Sequence, residues 1–370
     1  MYITKRRKKN NQERREKKME RVSYSDNELK IVGNYVGTSA SAPRYNTPVT
    51  PRENINQWIR GEKPLWFPTT DDFVFITPRI IADNIARGFA FECLPPLTAE
   101  ESGGPDMFGT EWVYVPQVGG SMVKPGNPRL SDVNDWRRVI TMPDPDTFDW
   151  KGSAKINAGL RDSGRSFQGM LLTGMFERLI SFMDFEGAAL ALIDEEQQDA
   201  VHDLFGELAD FNIKLIDRHI EYYGIEGITF HDDWGSQRAP FFSLATAREM
   251  LVPYIRRIAD HCHEKGLWFQ IHSCGKNELL VPAYIEAHVD IWCGQSMNDK
   301  ETLYKQYGDQ IFLGMDLPAF PEGTPAEKID AFAADFAQKY RKGNILVNVR
   351  GVRREVIEAV YRHSRIVLGS

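Results

Sequence analysis

Cysteine is scarce in this chain. Cys93, Cys262, Cys274 and Cys293 are the only four in 370 residues, too few and too irregularly spaced for a disulfide framework. With no signal-peptide pattern at the start, that scarcity sets the expectation of a cytoplasmic protein. No apolar run approaches the roughly 20 residues that a bilayer requires, so no membrane partner is expected. No Gly-x-Gly-x-x-Gly turn follows a candidate strand, which removes the commonest dinucleotide-binding reading. From Lys5 to Lys18 there is no apolar residue at all, and residues 1–25 read as a basic, disordered tail. Residues 1–21 carry ten Lys or Arg against three Glu, while the rest of the chain is strongly acidic. The Lys5–Lys18 segment lacks an aromatic to stack on a base, and an acidic body repels a phosphate backbone, so nucleic acid is set aside.

What is present is the composition of a soluble globular protein, 42% hydrophobic and 26% charged. Residues 26–370 are long enough for one large domain. From about Phe167 the pattern becomes regular. Short apolar strands at Met170–Gly174, Gly227–Asp233, Leu267–Ile271, Val289–Cys293, Ile311–Asp316 and Asn344–Val349 alternate with helical periodicity. Helices are expected over Val201–Tyr222, from the Ser243 cap to Gly266, near Leu279–His288, Lys300–Tyr307, Ala326–Tyr340 and Arg353–Leu368. Earlier in the chain, Thr50 caps a short helix at 51–60, Pro64–Pro68 reads as a brief strand, and Glu111–Gly120 as a hairpin. Thr38–Pro51 and Trp136–Trp150 read as connections. Every crossover is long enough for a parallel connection, and the expected fold class is α/β, a (β/α)8 TIM barrel, with a doubly wound open sheet as the rival.

The stretch Gly266-Leu267-Trp268-Phe269-Gln270-Ile271-His272-Ser273-Cys274-Gly275 organises the rest. Alternation along a strand puts Trp268, Gln270, His272 and Cys274 on one face. An imidazole and a thiolate two residues apart at a strand end are good ligands for zinc, although the spacing alone is also that of a core histidine beside a buried cysteine. In a barrel, functional groups collect at the carboxyl ends of the strands. Those ends carry Glu177; His231, Asp232 and Asp233; His272 and Cys274; Cys293 and Gln295; Asp316; and Asn348 and Arg350. Asp232 and Asp233 serve either a catalytic role or a helix cap. Cys293 is either a third sulfur ligand or a small buried hydrophobe. Trp66, Phe67, Phe73 and Trp234 either wall an apolar substrate or simply pack. Cys262 reads as core, and His261, His263, His288 and His363 as solvated helix residues.

The segments Phe230-His231-Asp232-Asp233-Trp234-Gly235-Ser236-Gln237, Ile271-His272-Ser273-Cys274-Gly275, Val289-Asp290, Gly314-Met315-Asp316 and Phe176-Glu177-Arg178 resemble the uroporphyrinogen decarboxylase superfamily. Within it, the likeness over roughly residues 50–365 is to the corrinoid-dependent methyltransferases, of the methylcobamide:coenzyme M and O-demethylase types. The resemblance implies a (β/α)8 barrel, zinc at the rim, and cobalamin carried by a corrinoid partner protein. It implies metal ligation by His272, Cys274 and Cys293, catalytic roles for Asp232, Asp233 and Glu177, and substrate contacts from Trp66, Phe73, Trp234, Gln237, Gln295 and Asp316.

Two departures shape the reading. The decarboxylases carry an arginine-rich segment early in the chain to bind a porphyrinogen's carboxylates, and Pro64–Phe73 here holds no arginine. The coenzyme M enzymes place a cysteine ligand near the last strand, where this chain has Asn348-Val349-Arg350-Gly351, so Asp232, Cys293, Glu177 or Asp316 stands in for it. The expected reaction is methyl transfer from a methoxylated aromatic small molecule to the corrinoid, or from methylcobalamin to an acceptor. A decarboxylase of a small acid and a non-catalytic scaffold for a corrinoid protein are the alternatives. The oligomeric state is left open.

Overall fold

The polypeptide from residue 167 onward alternates strand and helix because short β-branched and aromatic runs are punctuated by amphipathic stretches with helical spacing. The computed structural model describes residues 22–35, 42–117, 119–161 and 163–369. The basic segment 1–21 and residues 38–41 of the expected connection lie outside the described residues. The α/β fold is TIM-barrel-like and is built on a seven-stranded sheet: β1 (Phe73–Ile76), β2 (Ser166–Leu171), β3 (Gly227–His231), β4 (Trp268–Ser273), β5 (Ile291–Gly294), β6 (Phe312–Asp316) and β7 (Ile345–Asn348). The expected eighth strand is not formed among the described residues. Pro64–Pro68 is irregular, since neither proline can donate to a ladder.

The chain divides into two compact units. The first comprises residues 1–74, 163–166 and 290–370, and holds β5, β6 and β7. Its ladders are parallel, with Trp292 opposite Leu313 and Asp316 opposite Asn348. Thr69 bridges Val347, whose N–H donates to the Pro68 carbonyl at 2.8 Å. The Pro51–Ile59 helix starts as expected, with Thr50 and Glu53 forming a reciprocal capping box. The end of the expected tail is tied down in this unit: Val22 O accepts from buried Arg365, which also clasps Glu28 at 2.7 and 2.9 Å.

The second unit comprises residues 75–162 and 167–289. Its β2, β3 and β4 are parallel, in a register that sets Thr229 beside both Met170 and Gln270, and His231 beside His272. Both faces of β3 and β4 are buried up to their carboxyl ends, where His231 and His272 become partly exposed. The hairpin expected at 111–120 is present as strands Glu111–Val115 and Gly120–Val123, with Gly104–Pro105 as a third antiparallel member.

Two helices here were not legible as helices. Trp150–Arg161 begins at the end of a proline-rich connection. Met175–Ala191 is kinked at Asp184, which has φ 68° and whose carboxylate recaps the helix by accepting from Gly187 N at 2.9 Å.

His219, inside the Gln198–Tyr223 helix, is fully buried, and its Nδ1–H donates to Leu215 O at 2.7 Å. Burial pushes its imidazole down to about 4 from the usual 6.5. Because the folded-state value is the lower one, its contribution is intact above pH 6.5 and is lost as pH falls towards 4. The unfolded chain binds the proton through that window and the folded chain does not. The loss should reach roughly 3 kcal/mol. Urea unfolding at pH 7 and pH 4.5 should show a smaller acid penalty in His219→Gln than in the parent, and an equal penalty in both would contradict the assignment.

Candidate metal centre

The site is assembled from the carboxyl ends of β3 and β4 and from the start of the Met175–Ala191 helix, all in the second unit. Parallel register brings His231 beside His272, with ring centroids 5.2 Å apart and planes at 25°. Cys274 follows β4, and its Sγ lies 3.5 Å from His272 Nε2. The loops beyond the two strands are laced together. Cys274 N donates to Asp233 Oδ1 at 2.7 Å, Trp234 N to Ser273 Oγ at 2.9 Å, and Lys276 N to Ser236 O at 2.7 Å. Gly275 sits at φ +86°, and a Cβ there would meet the Gly235 carbonyl oxygen at 2.0 Å. Only glycine allows both that backbone and that approach.

Behind the strand ends lies a charged layer. Glu177 Oε2 accepts from His231 Nδ1 at 2.7 Å, and Glu177 Oε1 from Arg87 Nη1 at 2.9 Å. Arg87 comes from the Ala82–Arg87 helix and lies over the Trp112 ring at 5.1 Å. Burial alone would raise Glu177, but Arg87 and then His231 hold its carboxyl down to about 2, so it stays charged. Against burial, which acts to lower it, the carboxylates of Glu177 and Asp233 raise His231 well above the ordinary range. Burial raises the Cys274 thiol despite its hydrogen bond with His231.

Two groups of three potential ligand atoms converge within 4.8 Å of one another: His231, His272 and Cys274, and Glu177, His231 and Asp233. The first set, two imidazoles and a thiol, suits zinc. Sequence reasoning placed His231 on the rim without counting it as a ligand, and it missed Arg87 altogether. The signal that could have found His231 is the cross-strand register: equal offsets from β3 and β4 put the two histidines side by side.

Of the two roles expected for Asp232, catalytic or capping, the structure gives the cap, of the Met175–Ala191 helix and not of the helix that follows it: the residue is fully buried. Its carboxylate accepts from Phe176 N at 3.2 Å, Glu177 N at 2.9 Å and Trp234 Nε1 at 2.9 Å. Burial and then Glu177 push it up to about 7 against those donors. Gly174 leaves room for it, since a Cβ there would lie 2.4 Å from the Asp232 Cβ. Asp233 keeps 28% of its side chain exposed, with Oδ1 3.5 Å from His231 Nε2.

Trp234, expected to wall a substrate, is 0% exposed and stacks on Tyr284 with centroids 4.5 Å apart. Gln237 is exposed on the turn between Gly235 and Pro240. His261, His263 and His288, expected to be solvated, are partly buried, and His261 and His288 are paired with Asp217 and Asp260 at 2.9 and 2.7 Å.

Five expected site residues belong to the first unit. Trp66 and Phe73 are 2% and 3% exposed, and the Trp66 indole N–H donates to Asp72 Oδ2 at 3.3 Å. They are packing residues and present no open aromatic wall. Cys293, expected as a ligand, packs where a Cβ on Gly314 would meet its Sγ at 3.1 Å, and burial pushes its thiol up to about 12. Gln295 is half-buried, its carbonyl accepting from Asn298 Nδ2 at 2.9 Å. Asp316 is paired with the buried Lys300 and accepts from Asn348 Nδ2 at 3.0 Å.

With this geometry in view, known proteins can be compared. No protein-family model matches the chain, and no curated protein does. Among solved structures, a methyltransferase from Methanosarcina mazei aligns over 87% of this chain and 98% of its own, at TM-score 0.57 and 14% identity. The two proteins share a fold. An intracellular xylanase from Thermoanaerobacterium saccharolyticum covers 55% of this chain and 71% of its own at 12% identity, but at TM-score 0.33 it carries no weight. Among the described residues, no helix is long and apolar enough to cross a membrane.

Proposed function

We propose that this chain is a zinc-dependent methyltransferase that moves a methyl group between a methoxylated aromatic small molecule and the cobalamin of a corrinoid partner protein. The observation that carries this reading is the pairing of the His272 imidazole with the Cys274 thiol, Nε2 to Sγ 3.5 Å, at one strand end. The fold shared with a methyltransferase supports it, as do the sequence segments that resemble the corrinoid-dependent enzymes. An aryl ether resists cleavage because phenolate is a poor leaving group, and zinc supplies Lewis acidity towards the developing charge on the ether oxygen.

The chain's own residues prepare for that task. His272 and Cys274 project from one strand end and are held there by the laced loops. Asp233 offers a part-exposed carboxylate beside His231, where it can orient a donor group of the substrate. Glu177, held in place by Arg87, accepts a hydrogen bond from His231 Nδ1 and fixes the ring behind the rim. The same residues serve transfer in the reverse direction, from methylcobalamin to an acceptor. Decarboxylation is supported less well, because the part-buried Arg87 and the buried Arg178 are both committed to carboxylates of the chain.

The test is a screen of methoxylated arenes with free cob(I)alamin, read by the appearance of methylcobalamin. Transfer from at least one arene by the zinc-loaded protein, lost after chelation, is the expected result. Absence of transfer from every arene, together with no methylation of a thiol acceptor from methylcobalamin, would overturn the reading.

A further inference from the structure

We propose that His231 is a third metal ligand of this site, bound through Nε2, and that Glu177 and Arg87 are positioning residues that present it. The proposal rests on the reading of the strand ends as a metal centre. It goes beyond it by assigning a ligand on a different strand and a charged pair that orients that ligand.

The chemistry of the partners fixes which nitrogen is offered. An ionised carboxylate can only accept, so the 2.7 Å contact with Glu177 Oε2 places a proton on His231 Nδ1. Nε2 is then the atom that faces the shared ligand group, on the side where Asp233 Oδ1 lies 3.5 Å away. This is the arrangement by which metal-binding histidines are oriented, the other ring nitrogen donating to a carboxylate. Glu177 does not swing freely. Its second oxygen is held by Arg87 at 2.9 Å, and the Arg87 guanidinium packs over Trp112. Trp112 is itself pinned by its indole N–H to Asp106 Oδ2 at 3.0 Å. The pair brings little net charge to the ligand, because the guanidinium offsets the carboxylate.

The competing group of Glu177, His231 and Asp233 is disfavoured as a cation site by the same contacts. A metal on Glu177 would sit against Arg87, whose Nη2 is 3.5 Å from His231 Nδ1, and like charges repel. His231, His272 and Cys274 have no such conflict.

Cobalt(II) titration of the metal-stripped full-length chain separates the possibilities, since thiolate charge-transfer and visible ligand-field bands report sulfur ligation and tetrahedral geometry without any turnover. One equivalent should bind to the parent. His231→Ala should weaken binding by more than about tenfold and alter the visible bands while keeping the thiolate band. Glu177→Gln should weaken it by about tenfold, and Arg87→Met by less. His231→Cys should restore tight binding and strengthen the charge-transfer band, which a merely structural histidine would not do. That variant and Glu177→Gln carry the test if His231→Ala fails to fold. Unchanged binding in His231→Ala beside lost binding in His272→Ala would overturn this inference and leave the metal centre standing. A parent chain that binds no cobalt would overturn both.

Discussion

Replacing His272 with alanine is expected to lower methyl transfer by more than about a hundredfold while changing the urea midpoint little. The side chain is partly exposed at the end of β4, so its removal opens no large cavity in the core. What it removes is one of the two donors that the chain supplies from a single strand end. Cys274→Ser should act in the same direction, because a hydroxyl is not a deprotonated soft ligand near neutral pH. The measurement is the initial rate of methylcobalamin formation with the best arene from the screen, beside the metal content of each variant. Loss of rate together with loss of metal is the expected pattern. Full activity in His272→Ala would remove the chemical basis of the proposal.

The largest effect on stability is expected at Arg178. Its guanidinium is buried between Asp106, at 2.6 Å, and Asp83, and lies 4.4 Å from the centroid of Phe108. Arg178→Met would leave two carboxylates buried without their counter-charge, and such a loss costs about 3 to 5 kcal/mol. The urea midpoint at pH 7 should fall accordingly. Burial already raises the Asp83 carboxyl against the pull of Arg178, so without the guanidinium it should take up its proton at higher pH still and the deficit should shrink as the solution is acidified. Asp83→Asn combined with Asp106→Asn in the same background should recover much of the loss, since neutral amides do not need the cation. A single variant as stable as the parent would show that the triad contributes nothing net.

The sequence and the structure agree where the signal is local. Thr50 with Glu53, the alternation of apolar runs with amphipathic ones, and the Lys300–Tyr307 helix all follow from neighbours within a few residues. The strand-end position expected for His272 and Cys274 is also where the structure puts them, because parallel strands deliver their last residues to one edge. What was not legible depends on contacts far apart in the chain. Arg87 reaches His231 across 144 positions, and only the register of β3 with β4 sets His231 beside His272. Trp66, Phe73 and Trp234 looked like the walls of a mouth because aromatic rings suit both cores and binding sites. Their burial is decided by packing and by partners such as Asp72 and Asp232, which no local pattern encodes. Asp232 could be read as a rim group or a helix cap, and the helix it caps begins 57 residues earlier and is kinked at Asp184, which broke its period. Prolines at 143 and 145 drew the eye to a loop and concealed the helix that starts at Trp150.

Zinc K-edge absorption on protein purified without chelator tests the central claim most directly. The account predicts about one zinc per chain with one sulfur neighbour near 2.3 Å and two imidazole nitrogens near 2.0 Å. A protein without stoichiometric zinc that takes up none on reconstitution, or a zinc surrounded only by oxygen, would contradict it.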